Sequence, residues 1–279
     1  MPDDVNRKRE ALRAELRALG SAVVAYSGGV DSAFLAAAAG EALGDRALAV
    51  TADSPSIPRR ELAAARALAT RLGLAHEVIA TDECEDPAYA ANAPDRCFHC
   101  KGALFGRLRA LADRRGFAHV LDGSNADDAG DYRPGRQAAA RWAVRSPLAE
   151  GGWTKDDIRE ASRRMGLPTA NRPASACLAS RIPYGTPVTP AALRQVETAE
   201  AALADLGFRH LRVRHHGDVA RIELAPGEMA GLSDEARRRA VAAAVRSAGF
   251  RFVAVDLDGY RTGSLNETLD ADTRAGGRG

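Results

Sequence analysis

The sequence predicts an α/β protein in which a parallel sheet with helices on both faces is followed by a smaller α+β unit. Three observations carry this reading. Short apolar runs alternate with segments of helical periodicity as far as Leu121, and the second half changes to a helix, two adjacent strands, a helix and a strand. The length of 279 residues, 46% of them hydrophobic, suffices for one large core or two modest ones.

Each element has a local reason. Leu12, Leu16 and Leu19 mark one face of an opening helix, and Val23-Val24-Ala25-Tyr26 reads as a buried strand feeding the alanine-rich helix Ala33 to Leu43. Ala47 to Ala52 is the second strand, and Pro58 fits the first turn of a helix reaching about Leu72. Glu77 to Ala80, Lys101 to Arg115 and His119 to Leu121 continue as strand, helix and strand. Thr154 with Asp157 makes a capping-box start for a helix to Met165, stopped by Gly166-Leu167-Pro168. After a loop from Asn171, Thr189 caps a helix over Pro190 to Leu206. Leu211 to Arg214 and Val219 to Leu224 form a hairpin around His216-Gly217-Asp218, Ser233 caps another helix, and Phe250 to Val255 is the last strand. The expected domains are residues 1–170 and 171–270, with a disordered tail over 271–279.

Composition narrows the function classes. The net charge is +2 and the basic residues, mostly arginine, are mixed with acids, so no electrostatic case for nucleic acid arises. No apolar run approaches a membrane span and Met1-Pro2-Asp3-Asp4 lacks signal-peptide character, which leads to the expectation of a cytoplasmic protein without membrane contact.

The most informative segment is Ser27-Gly28-Gly29-Val30-Asp31-Ser32, placed after a strand and opening a helix. Two glycines let backbone approach an anion, and the free N–H groups of the helix start point at it. Ser27 and Ser32 can donate to phosphate oxygens, while Asp31 suits Mg²⁺ or the turn itself. The Walker A lysine is absent. Ligands in parallel sheets sit at the carboxyl ends of the strands, where Asp53, Asn125 and Asp127 also fall as nucleotide-site candidates. Ordinary turn chemistry is the competing reading for these last three. The segment resembles the PP-loop of the N-type ATP pyrophosphatases, which implies ATP cleavage between the α- and β-phosphates and transfer of AMP to substrate.

Four cysteines in a chain of this size do not suggest a disulfide framework. Cys97-Phe98-His99-Cys100 precedes the predicted helix, and Cys177 lies in Pro173-Ala174-Ser175-Ala176-Cys177-Leu178-Ala179-Ser180-Arg181. Thiols beside helix starts and arginine are reactive or metal-binding. A structural zinc pair or idle thiols remain open for the C-x-x-C, and Cys84 has no motif around it.

The glycine loop, Asp95-Arg96-Cys97-Phe98-His99-Cys100-Lys101, the Cys177 segment through Ile182-Pro183-Tyr184-Gly185, and Arg212-Val213-Arg214-His215-His216-Gly217-Asp218 together resemble the LarE-type ATP-dependent sulfur transferases, along nearly the whole chain. The adenine nucleotide α-hydrolase-like fold of PP-loop proteins is implied with it. So is conversion of the carboxylates of pyridinium-3,5-biscarboxylic acid mononucleotide to thiocarboxylates for the nickel-pincer nucleotide, with ATP and Mg²⁺, a small nucleotide substrate and a homo-oligomeric assembly. In the single-cysteine version of the family the residue matching Cys177 gives up its own sulfur. The added thiols Cys97 and Cys100 imply instead a 4Fe–4S cluster on Cys97, Cys100 and Cys177, whose fourth iron can hold a sulfide replaced by an external donor. Lys101, Ser180, Arg181, Arg212 and Arg214 are the expected substrate-binding residues, and Glu223 the expected partner of Cys177 in proton transfer or C–S cleavage. Arg212 and Arg214 share a strand face and can grip one phosphate, unless they form a solvated hairpin face paired with Glu223 or Asp218. A tRNA-thiolating enzyme, an amide-forming ligase and an ATP sensor are the other classes that use such a loop.

Overall fold

The computed structural model describes residues 2–130, 135–173 and 176–261. They form two compact units, one of residues 2–83 and 95–173, the other of residues 84–94 and 176–261. In chain order the elements are α1 (Pro2–Leu19), β1 (Ala22–Ala25), α2 (Val30–Leu43), β2 (Ala47–Asp53), α3 (Arg59–Arg71), β3 (His76–Ala80), α4 (Pro87–Ala90), α5 (Arg96–Arg115), β4 (His119–Leu121), α6 (Gly135–Arg141), α7 (Pro147–Glu150), α8 (Lys155–Arg164), α9 (Pro190–Asp205), β5 (Leu211–His216), β6 (Val219–Leu224), α10 (Pro226–Met229), α11 (Glu235–Ser247) and β7 (Phe252–Val255).

The first unit is an α/β sandwich around a parallel sheet of order β3-β2-β1-β4. Successive side chains on a strand point to opposite faces, and both faces here are covered, so β1 and β2 are apolar as far as Val50. Val24, Ala47, Ala49 and Leu121 pack with α1, α2, α3 and α8 residues such as Leu16, Phe34, Leu68 and Ile158. Val23, Leu48, Val50 and Val120 pack on the other face with Phe105, Leu108, Leu111 and Ala112 of α5 and Ala138 of α6. The three- and four-residue spacing of the α5 set gives one helical stripe, and each fully buried Leu or Phe in it contributes about 1.5–3 kcal/mol.

Topology then fixes where a ligand can sit. From β1 the chain steps outward to β2 and β3, then returns through α5 to β4 on the other side of β1. Strand order reverses between β1 and β4, and the crevice at that switch point opens at the carboxyl ends of the strands.

The second unit has a three-stranded sheet of order β5-β6-β7, with β5 and β6 antiparallel and β7 parallel to β6. Its β5–β6 turn uses Gly217 at φ +63°, and α9 packs on β5 and α11. Residues 84–94 join this unit for a hydrogen-bonding reason. Fully buried Asn92 donates through Nδ2 to the carbonyls of Pro183 and Thr186, each at 2.8 Å, while Val188 N donates to Ala90 O at 2.8 Å.

Local readings differ from the structure at three points. Asp234, not Ser233, caps α11, accepting from Arg237 N. The helix expected from Lys101 begins at Arg96, so Cys97 and Cys100 lie within its first turns rather than before it. The expected division after residue 170 also omitted the excursion of 84–94 into the second unit. The proposed tail and the pair Ala174-Ser175 lie outside the described residues. Among the described residues no helix is long and apolar enough to cross a membrane.

Candidate active site

In the first unit the segment after β1 makes the sharp turn its glycines allow. Gly28 has φ +74°, and a Cβ there would lie 3.0 Å from both Cα and Cβ of Ala65 in α3. Gly29 is the N-cap of α2 and supplies no capping side chain, so the first N–H groups of the helix are left for an anion. Around them the Ser27 and Ser32 hydroxyls lie 3.0 Å apart, and Ser32 Oγ also meets Ser27 N at 3.2 Å. Gly123, just past β4, completes the close packing: a Cβ on it would meet Ser32 N at 3.0 Å.

Two residues outside the sequence-derived candidates act on this loop. Trp153 is buried with its ring 5.0 Å from that of Phe34, which holds the start of α8 against α2. There Lys155 Nζ pairs with Asp31 Oδ2, and Lys155 N donates to Asp127 Oδ2 at 2.7 Å. Asp31 Oδ1 is buried and has no hydrogen-bond partner among the described residues. Arg172 donates to the Gly28 carbonyl at 3.0 Å and to Glu61 at 2.8 Å. Because a trans peptide points its carbonyl and the next N–H in opposite directions, Arg172 also sets the direction of the Gly29 N–H.

The other expected nucleotide residues lie on neighbouring strand ends. Asn125 is buried and accepts from Asp127 N at 3.0 Å, an Asx turn that fixes the loop after β4. Asp53 closes β2 and pairs with Arg59. Next to it a buried chain runs from Ser54 Oγ to Ser56 Oγ at 2.8 Å and on to Glu83 Oε1 at 2.7 Å. Beneath the crevice Thr51 Oγ1 lies 2.8 Å from His76 Nε2, and burial, then nearby Arg66, pushes the His76 pKa below its ordinary value. Burial likewise pushes the Tyr26 phenol up to about 12, against a smaller opposing effect of Arg172.

Cys97 is exposed and Cys100 half-buried, three residues apart and therefore on one side of α5. Lys101, on the same turn, carries its ammonium 5.3 Å from the centre of the Phe105 ring. Among the described residues no group of three or more His, Cys, Asp or Glu side chains is arranged to hold a metal ion.

In the second unit Cys177 is half-buried at the start of a 3₁₀ turn over Leu178–Arg181. Its carbonyl accepts from Ser180 N at 3.0 Å, Ser180 Oγ at 2.8 Å and Arg181 Nη1 at 2.9 Å. Arg181 is 2% exposed, and its other edge forms a bidentate pair with Glu200 at 2.9 and 3.0 Å. Arg214 makes the same kind of pair with Glu223 at 2.9 and 2.7 Å and donates to Ser180 O at 2.7 Å. Both Glu223 oxygens therefore face guanidinium groups. Arg212 differs. It donates to Leu211 O at 2.7 Å and lies over the Tyr260 ring, with no carboxylate partner among the described residues. Burial and the positive neighbours Arg181 and Arg214 lower its pKa, against the raising effect of Glu200 and Tyr260, and as a guanidinium it stays charged. Arg212 and Arg214 thus do not act as an equal pair: Arg214 is compensated and Arg212 is not.

A glycine-serine turn, an open helix N-terminus and an adjacent lysine define an ATP-dependent enzyme of the PP-loop class. Residues 8–176 match the asparagine synthase family, in agreement. An uncharacterized protein of Synechocystis sp. is 43% identical over 262 residues, 94% of this chain and 98% of its own length. The pyridinium-3,5-bisthiocarboxylic acid mononucleotide synthase of Lactiplantibacillus plantarum is 38% identical over 266 residues, covering 94% and 95%. An uncharacterized protein of Methanocaldococcus jannaschii is 27% identical over 240 residues, covering 86% and 90%. The chain belongs to the LarE-type ATP-dependent sulfur transferases of the PP-loop group.

Proposed function

We propose that this enzyme adenylates the carboxylates of pyridinium-3,5-biscarboxylic acid mononucleotide and converts them to thiocarboxylates, a step in nickel-pincer nucleotide synthesis. The observation that supports it most directly is the second unit's combination of a clamped thiol loop with an uncompensated arginine. Arg181 and Arg214 anchor residues 177–180 and are neutralised by Glu200 and Glu223, which leaves Arg212 as the cation for the substrate phosphate. A neutral partner or a polyanion would call for a different charge distribution.

The chemistry follows from the residues present. A substrate carboxylate oxygen attacks the α-phosphorus of ATP, and the bond to the bridging oxygen breaks. The departing pyrophosphate is received by the α2 N–H groups, Ser27, Ser32 and Lys155, fixed donors that need no reorganisation as charge develops. Mg²⁺ would be held by Asp31, whose buried Oδ1 lacks a partner, and would neutralise phosphate charge there. A sulfur nucleophile carried at Cys177 then attacks the acyl carbon and AMP leaves. Where that sulfur is the thiol's own, loss of the Cys177 Cα proton breaks its Cβ–S bond and leaves dehydroalanine. In the reading that the added thiols imply, a 4Fe–4S cluster held by Cys97, Cys100 and Cys177 would supply a replaceable sulfide and spare Cys177.

The test is anaerobic. Pyrophosphate release should depend on the dicarboxylate mononucleotide and not on tRNA or ammonia, which would instead point to the other PP-loop classes. Reconstituted protein should hold about four irons per chain and give more than one thiocarboxylate per chain with Cys177 intact. A yield that stops at one, with loss of the mass of hydrogen sulfide at Cys177, would establish the sacrificial route. Normal transfer by Cys177→Ala would overturn both.

A further inference from the structure

We infer that Tyr260 is a positioning residue for substrate binding, acting by holding the Arg212 guanidinium flat so that its free edge faces the anion. The inference rests on Arg212 being the phosphate-binding cation proposed above. The Arg212 Cζ lies 5.1 Å from the centre of the Tyr260 ring. A guanidinium is weakly hydrated on its faces and strongly hydrogen-bonding along its edges, so stacking uses a face and leaves the in-plane N–H groups for an acceptor. One edge atom, Nη1, is already turned back to Leu211 O at 2.7 Å, which fixes the rotation of the plane.

The support beneath the ring is built from backbone. Tyr260 N donates to Leu224 O at 2.8 Å, and Gly259 N to Asp256 O at 3.1 Å. Gly259 has φ +69°, and a Cβ there would approach Leu224 O to 2.6 Å, so this turn requires glycine. Asp256 is tied to Arg221 of β6, which also reaches Glu223. The ring is therefore anchored to the end of the strand paired with the one bearing Arg212. Apart from that one bond to Leu211 O, the ring is what restrains the outer part of this arginine among the described residues. Arg181 and Arg214 do not need such a support, because each is fixed by a two-point carboxylate contact.

Steady-state kinetics of the full chain with the mononucleotide and ATP varied separately tests this. Tyr260→Leu should raise the KM for the mononucleotide about three- to tenfold, the range of a cation–π contact at a partly desolvated site, with kcat and the KM for ATP unchanged. Tyr260→Phe, which keeps the ring, should restore the normal KM, and Arg212→Ala/Tyr260→Leu should be no worse than Arg212→Ala. An unchanged KM in Tyr260→Leu, beside a raised one in Arg212→Ala, overturns the role of Tyr260 and leaves the substrate reading intact. An unchanged KM in Arg212→Ala overturns both. Equal impairment by Phe and Leu assigns the effect to the hydroxyl and refutes stacking. If Tyr260→Leu lowers the melting temperature substantially, Tyr260→Trp carries the test: a normal or lower KM supports stacking, and a raised KM in folded protein refutes it.

Discussion

Gly28→Ala isolates the close approach of the glycine loop to α3. Alanine at φ +74° costs about 1–2 kcal/mol from clash with its own backbone. Its Cβ would also stand 3.0 Å from Ala65 Cα and Cβ, against ordinary carbon contacts of about 3.5–4.0 Å. Since one of those atoms is helix backbone, relief requires a shift of α3 or of the loop, an overpacking cost of about 1–3 kcal/mol. The total, about 2–5 kcal/mol, is a large part of the roughly 5–15 kcal/mol that holds a native domain. Urea denaturation of Gly28→Ala, Ala65→Gly and the double variant separates the two contributions. Ala65→Gly alone costs about 1 kcal/mol in helix propensity but removes one of the two clashing atoms. The double variant should thus be about 1 kcal/mol more stable than additivity predicts, while still lacking the backbone part. Pyrophosphate release should fall in both Gly28 variants, because the carbonyl held by Arg172 moves. Additivity within about 0.3–0.5 kcal/mol, or a wild-type midpoint for Gly28→Ala, would refute the packing argument.

Lys155→Ala should slow pyrophosphate release about 10- to 100-fold while changing denaturation stability by less than about 1 kcal/mol, since its ion pair is partly exposed; an unchanged rate removes Lys155 from the site. Arg181→Ala should cost about 1–3 kcal/mol by leaving the half-buried Glu200 carboxylate with only the Val213 N–H as donor, and should speed alkylation of Cys177. Adding Glu200→Gln should recover part of that stability, and no recovery would refute the pairing argument. His76 titrates lower folded than the ordinary 6.5, so below about pH 6.5 the unfolded chain binds a proton that the folded chain refuses. Stability should therefore decline as pH falls from 7 toward 5.5, and denaturant midpoints for His76→Gln should show a shallower decline; identical slopes would exclude His76.

The legible parts of this protein were those written within a few residues. Alternating apolar strands, the capping pair Thr154 and Asp157, and the glycine turn each depend on contacts between near neighbours, and the structure has them. Lys155 was not legible, because it meets Asp31 from 124 positions away, and Arg172 reaches Gly28 across 144. Their only sequence signals were a lysine at a predicted helix start and an arginine before Pro173. Ser233 and Asp234 can both accept from a helix start, and only the backbone path selects Asp234.

By itself, the sequence determined the order of helices and strands, the phosphate-binding turn and the thiol at Cys177, since periodicity, backbone freedom and side-chain chemistry belong to the residues themselves. Tertiary structure decided which arginines keep a charge to offer. Arg181, Arg212 and Arg214 are chemically identical, and the first and last are neutralised because folding brings Glu200 and Glu223 into bidentate contact. Arg212 meets an aromatic face instead. Electrostatic compensation depends on distances of a few ångströms between residues separated in the chain, so which guanidinium is left without a carboxylate is decided only once the chain has folded.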